Sequence, residues 1–179
     1  MKYLVISDIH GSSFYAKKIE EIYEKEKPEK IILLGDLYYH GPRNNLTEEY
    51  SPMEVAKILN KYKDIILCTI GNCDSKADQM ISEFELKENI ILDINETKFF
   101  FSHGDKYNIT NIPPVGEVVI YGHFHQEFIK KENGIIFANP GSISLPRNNT
   151  YHSYMIIDDE NIIIKDENGK IIEKEKYKK

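Results

Sequence analysis

Short runs of apolar residues recur through the chain: Tyr3 to Ile6, Ile31 to Leu34, Ile65 to Ile70, Phe99 to Phe101 and Val118 to Tyr121. Runs of this length without polar interruptions fit strands covered on both faces. Between the first three the period changes. Tyr15, Ile19, Ile22 and Tyr23 are spaced as one face of a helix, and Val55, Ile58, Leu59 and Tyr62 repeat that spacing. A third helix is expected from Asp74 onward, with Asp74 as its cap, Ser75 and Asp78 as a capping box, and Ala77, Met80, Ile81 and Phe84 as a core stripe.

Strand, helix, strand, helix, strand is the alternation that builds a parallel layer with right-handed crossovers. After about residue 90 the helical spacing disappears, and strands follow one another through Asn95, Asn133-Gly134, Asn139-Pro140-Gly141 and Glu167-Asn168-Gly169. This predicts a largely antiparallel second sheet packed on the first, with Asn133-Gly134 and Asn168-Gly169 as hairpin turns. No Gly/Ser-rich or Pro-rich linker divides the chain. The expected fold class is α/β, a two-sheet α/β/β/α sandwich with mixed sheets, as one domain over residues 1–179.

Composition narrows the function classes. The 179 residues are 41% hydrophobic, with no run long enough to span a bilayer. The amino terminus MKYLVISDIHGS reads as a buried strand and not as a signal peptide, which predicts a cytoplasmic protein. Cys68 and Cys73 are expected to be reduced thiols, Cys68 as an inert core residue. A net charge of −6 argues against a long nucleic-acid footprint, which needs clustered Lys and Arg. Lys174, Lys176, Lys178 and Lys179 alternate with glutamates and read as a solvated tail. Small phosphorylated substrates remain compatible with this balance.

The chemistry gathers where the apolar runs end. Asp8 and His10 follow the first run, Asp36 the second, Asn72 the third, His103 the fourth, and His123 and His125 the fifth. The carboxyl ends of strands in layered α/β folds converge on the crevice where ligands bind. Any one of these short motifs alone is an ordinary turn. Together they deliver four imidazoles, two carboxylates and one amide to one rim, which points to a metal site. Imidazole and carboxylate without an evident thiolate suit Mn2+, Fe2+, Ni2+ or Zn2+. Seven donors exceed one tetrahedral ion, whereas two ions about 3.5 to 4 Å apart can bind the attacking and leaving oxygens of an in-line displacement.

The motifs D-x-H, G-D, G-N-C-D, H-G and G-H-x-H occur in the order of the calcineurin-like metallophosphoesterase superfamily, which the sequence resembles over nearly its whole length. The longer strings His40 to Asn44 (HGPRN), Gly71 to Met80 and Asn139 to Pro146 are similar to the YfcE group of small microbial phosphodiesterases. The resemblance implies that Asp8, His10, Asp36 and His125 hold one ion and that Asp36, Asn72, His103 and His123 hold the other. It implies two divalent transition-metal ions, Mn2+ before Ni2+, Fe2+ or Zn2+, and hydrolysis of a small phosphodiester by a hydroxide shared between them. Related proteins often form homo-oligomers, although no apolar patch in the sequence marks an interface. Two alternatives belong to other classes: a non-catalytic scaffold of the same fold that binds a partner protein, as the retromer subunit does, and a nuclease, which the acidic balance disfavours.

Position 73 departs from the superfamily. Many members have histidine after the asparagine, thought to protonate the leaving oxygen, and a thiol is a poor general acid. Cys73 has three candidate roles: nucleophile, metal ligand, or small neighbour of the site, the last fitting best because a hydroxide attacks and seven harder ligands suffice. The site should therefore prefer good leaving groups. Arg43 could grip a phosphate oxygen as a planar donor fork, with Asn44 and Asn72 as further substrate contacts and Arg147 a weaker candidate.

Overall fold

The computed structural model describes residues 1–178. Its first half runs β1 (Tyr3–Ile6), α1 (Ser13–Glu26), β2 (Lys30–Leu33), α2 (Pro52–Asn60), β3 (Ile66–Thr69), α3 (Lys76–Ile81) and β4 (Leu86–Lys87). The second half is strands: β5 (Asn89–Ile94), β6 (Thr97–Ser102), β7 (Val118–Tyr121), β8 (Glu127–Glu132), β9 (Ile135–Pro140), β10 (Ser153–Ile157), β11 (Asn161–Asp166) and β12 (Ile171–Lys176). One sheet has the order β12-β11-β10-β1-β2-β3-β4 and the other β5-β6-β7-β9-β8.

Alternation of side chains explains the unbroken apolar runs. Leu4, Ile6, Ile31 and Leu33 face α1 and α2, while Tyr3, Val5, Ile32 and Leu34 face the second sheet across a core shared with Phe99, Phe101, Val118 and Ile120. Helix α1 buries Tyr15, Ile19 and Ile22 and α2 buries Val55, Ile58 and Leu59, while Tyr23 and, beyond the end of α2, Tyr62 pack half-buried against the same core. Ser12 caps α1 by accepting the Tyr15 N–H at 3.2 Å, and Lys27 closes it in a left-handed conformation.

The second sheet is mixed and not largely antiparallel, because β6-β7 and β7-β9 pair in parallel. The parallel link from β6 to β7 is a loop, so no helical spacing announces it. That loop also supplies the outer layer: Tyr107 and Ile109 pack on Phe100, Val119, Tyr121 and Phe137, where a second helical layer was expected. Asn133 and Gly134 both take positive φ, as the two-residue turn between β8 and β9 requires.

Two further expectations fail. Helix α3 is only six residues long and buries none of them; Met80 is 86% exposed, and Phe84 enters the core from the turn beyond the helix. Its capping box forms, but Ser75 is the cap and Asp74 is not. The lysines of the expected tail lie partly in β12, a charged edge strand paired with β11, while Lys179 falls outside the described residues.

One buried ion pair ties α1 to the first sheet. Glu26, the last residue of α1, accepts from Lys165 Nζ at 2.7 Å and Tyr154 Oη at 2.9 Å, with Lys2 Nζ at 3.4 Å. Burial alone would raise its pKa, but the Lys165 hydrogen bond and the contacts from Tyr154 and Lys2 outweigh it and hold the carboxyl below its usual range. A depressed carboxylate stabilises the fold above its unfolded pKa and loses that contribution as pH falls through the folded value. E26Q is therefore expected to cost about 1 to 3 kcal/mol in urea unfolding at pH 7. The gap to wild type should shrink on acidification below the ordinary carboxylate range, and a gap independent of pH would refute the assignment.

Candidate active site

Five strand ends deliver the predicted ligands to one place. Asp8 and His10 lie just beyond β1, Asp36 beyond β2, Asn72 beyond β3, His103 at the end of β6, and His123 and His125 beyond β7. The edges of the two sheets meet there. Asp8, His10, Asp36, His123 and His125 all take left-handed backbone conformations, which cost of order 1 kcal/mol each for residues other than glycine. The turns are sharp because each side chain must double back from its strand toward the common centre. They also need close backbone approach: a Cβ on Gly35 would stand 2.5 Å from the Gly71 nitrogen, and one on Gly71 would strike the Asp36 carboxylate.

The imidazoles are oriented from behind. Nδ1 of His10 lies 2.7 Å from the Tyr39 carbonyl, that of His103 2.7 Å from Leu34 O, and that of His125 2.7 Å from Leu145 O. A carbonyl can only accept, so each Nδ1 carries the proton and each Nε2 presents a lone pair to the centre. His10 Nε2 and His125 Nε2 then face each other at 3.2 Å, with Asp8 Oδ1 3.7 and 3.3 Å away. Asp8 Oδ1 is buried and has no hydrogen-bond partner, while Oδ2 accepts from Ser7 Oγ at 2.5 Å and the His123 N–H at 3.0 Å.

A second group converges on His103. Its Nε2 lies 2.9 Å from Asn72 Oδ1, 3.2 Å from His123 Nδ1 and 3.4 Å from Asp36 Oδ2. The same Asp36 oxygen is 3.6 Å from His10 Nε2, so this carboxylate stands between the two groups. Its other oxygen accepts the Cys73 N–H at 2.8 Å. Two buried carboxylates, an orphaned oxygen and opposed lone pairs form a donor set that fits divalent cations.

Electrostatics agree with that fit. Burial works against a charge on Asp8, yet the imidazole of His125, 3.3 Å from Oδ1, with those of His103 and His10 holds its pKa well below the carboxylate range. Burial likewise opposes a charge on His103, but Asp36 and Asp8 overcome it and carry the pKa up to about 9, which puts a proton on Nε2 facing Asp36 and Asn72; a bound cation would displace that proton and free the lone pair. His10 goes the other way, lowered mainly by burial.

Around these ligands stands a frame that sequence reasoning used only as a family string. Ser142 Oγ and Ser144 Oγ donate to the Asp8 carbonyl at 2.7 and 2.9 Å, and Ser142 Oγ accepts the N–H of Leu145, whose carbonyl orients His125. Asn139 ties the Gly122 carbonyl at 2.8 Å. Asp74 belongs to this frame too: it accepts from the N–H groups of Asp36, Leu37 and Gly71 and pins two ligand loops together.

The remaining candidates separate. Cys73 is half-buried, with its sulfur close enough to His10 and Asp36 to share an ion with them, and burial together with the Asp36 charge pushes its thiol up to about 12. Asn44 is occupied inside its own turn, where Nδ2 donates to the His40 carbonyl at 2.8 Å. Arg43 is exposed on that turn, which abuts the site: a Cβ on Gly41 would lie 3.4 Å from Cys73 Sγ. Arg147 sits on the opposite loop, its N–H donating to the His125 carbonyl at 3.0 Å.

A family model for the calcineurin-like phosphoesterase superfamily domain matches residues 1–161. The chain is 33% identical over 165 residues to phosphodiesterase YfcE of Escherichia coli K12, covering 89% of each protein. It is 27% identical over 152 residues to phosphodiesterase MJ0936 of Methanocaldococcus jannaschii, covering 79% of this chain and 83% of that one. The solved structure of E. coli YfcE, described as a phosphoesterase, matches with a TM-score of 0.96 at 30% identity over 99% of this chain and 100% of the other. Vps29 of Chaetomium thermophilum matches at 0.67 and 18% identity over 100% and 99%, a likeness of fold alone. By this family match and by its identity to YfcE over most of both chains, the chain belongs to the calcineurin-like phosphoesterase superfamily.

Proposed function

We propose that this protein is a binuclear-metal phosphodiesterase acting on small diesters. The observation that supports the reading most directly is Asp36 Oδ2, which lies 3.6 Å from His10 Nε2 and 3.4 Å from His103 Nε2 and so can serve two ions at once. Asp8, His10, Asp36 and His125 would hold one, and Asp36, Asn72, His103 and His123 the other. The mixture of imidazole and carboxylate suits Mn2+, with Ni2+, Fe2+ and Zn2+ as alternatives. When bound, such a pair supplies the positive charge that acidifies water and neutralises a phosphate.

The chain's own groups define the rest. Carbonyls of Tyr39, Leu34 and Leu145 keep three imidazoles in the ligating tautomer. Arg43, on the turn beside Cys73, would meet a phosphate oxygen of the incoming diester. Cys73 offers a thiol with its pKa raised to about 12, which is a poor proton donor to an alkoxide at neutral pH. The proposed substrates are therefore diesters whose alcohol leaves without much help, aryl esters foremost.

Treatment with a strong chelator should abolish hydrolysis of bis(4-nitrophenyl) phosphate, and Mn2+ should restore it. Elemental analysis should find two ions per chain in wild type and fewer in D36N, with a loss of at least about 100-fold in kcat for that variant. Undiminished hydrolysis by metal-free protein would sink the mechanism. A second expectation concerns position 73: wild type should cleave an aryl diester faster than the monoester of the same phenol, and C73H should raise monoester turnover about tenfold or more. Equal monoester rates in wild type and C73H would remove the proton-donor argument.

A further inference from the structure

Phe124 sits between two metal-site histidines and is not used by them. It is 44% exposed, and its ring packs against His123 at a centroid distance of 5.1 Å with an interplanar angle of 81°. His123 in turn packs on His103 at 5.0 Å, so the Phe124 ring stands one aromatic layer outside the donor cluster. Beyond it opens a cavity of about 350 Å3 lined by Ile109, Tyr121, Phe124 and Phe128, with Asn108 and Lys130 among the polar residues at its edge.

The walls of this cavity are built rigidly. Tyr121 is buried, and its hydroxyl accepts the Ile109 N–H at 3.3 Å. Asn108 donates to the Gly104 carbonyl at 2.9 Å and accepts from the Thr110 N–H at 2.8 Å, which anchors the loop to the residue following His103. A groove preformed from aromatic faces, which shares Phe124 with the loop that carries His123 and His125, suits a flat apolar group. Its position also separates it from Cys73, which flanks the cluster on the side of His10 and Asp36. With the leaving group on the Cys73 side, the ester group that stays on phosphorus would have the His123 side of the cluster, where Phe124 stands, open to it.

We propose that this cavity is a subsite for a planar aromatic substituent, aryl or nucleobase-bearing, on the retained arm of the diester, with Phe124 as the specificity-determining residue. This deepens the phosphodiesterase reading above and rests on it. The ring of Phe124 stacks on or edges against the substituent, while Lys130 and Asn108 leave room for polar edges. No proton or electron is moved there; the subsite acts through binding alone.

The test uses full-length protein loaded with Mn2+ and three diesters that share 4-nitrophenol as leaving group and differ in the retained arm: methyl, phenyl and 5′-thymidyl. Wild type should show a KM about 5- to 10-fold lower for phenyl or thymidyl than for methyl, an advantage of the size that an aromatic pair supplies. F124A should remove that advantage, bringing the phenyl and thymidyl KM values to that of the methyl ester, and F124Y should keep it. Retention of the phenyl advantage alone would assign an aryl subsite, and of the thymidyl advantage alone a nucleoside one; either supports the proposal. Equal KM values for all three esters in wild type, or an equal loss on all three in F124A, would overturn it. Absence of hydrolysis of every ester by wild type would instead overturn the phosphodiesterase reading, and this proposal with it.

Discussion

Asp8 and Asp36 are carboxylates buried at the point where five strands run out, and their charge has to be compensated there. An uncompensated buried carboxylate costs several kcal/mol, enough to threaten a fold of ordinary stability. The protein surrounds them with imidazoles, a backbone N–H from Cys73, another from His123 and the hydroxyl of Ser7. Even so, one Asp8 oxygen is left without a partner, and its neighbours are lone pairs. Cations complete what hydrogen bonds do not.

That requirement reaches outward through the fold. Five ligand residues sit in left-handed backbone conformations that relax elsewhere in a chain, and they persist because the strands before them are locked into two cores. Parallel pairing in both sheets makes those strands end at one rim. The serines at 142 and 144 then hold the Asp8 backbone from the far side, and Asp74 ties the loops of Asp36 and Gly71. Removing any one of these supports would let a ligand loop relax toward solvent, where its strained turn has no reason to survive.

What could be read in the sequence follows from the same physics. Strands covered on both faces have no polar positions to hide their extent, so their apolar runs were plain, and the candidate ligands just beyond them are the side chains that the fold gathers into one cluster. Features set by long-range geometry were not legible. Helix α3 has apolar spacing but is too short to turn it toward a core, and the lysine and glutamate alternation of β12 looks like solvated tail until β11 pairs with it. Asp74 reads as a cap from its neighbours, although its three donors come from two different loops. Asn44 looks like a substrate contact until its amide is seen bonding within its own turn. Ser142 and Ser144 carried a signal, the turn residues after Asn139, that pointed to a bend and not to the carbonyl they grip.

The site is asymmetric in a way that bears on selectivity. On one flank stands Cys73, whose thiol is pushed up to about 12 by burial and the Asp36 charge and which, in the proposed mechanism, offers little help to a poor leaving group. On the other, past His123, the surface is aromatic with Lys130 at its edge. Under the proposed mechanism, chemistry on the first flank would be limited by how readily the departing alcohol bears negative charge, and recognition on the second by how much flat apolar area the remaining group can bury. The two limits act on different ester arms, so a diester can satisfy both, whereas a monoester has only one arm to offer. Discrimination between the two ester classes can therefore arise without any group in the site that repels a monoester.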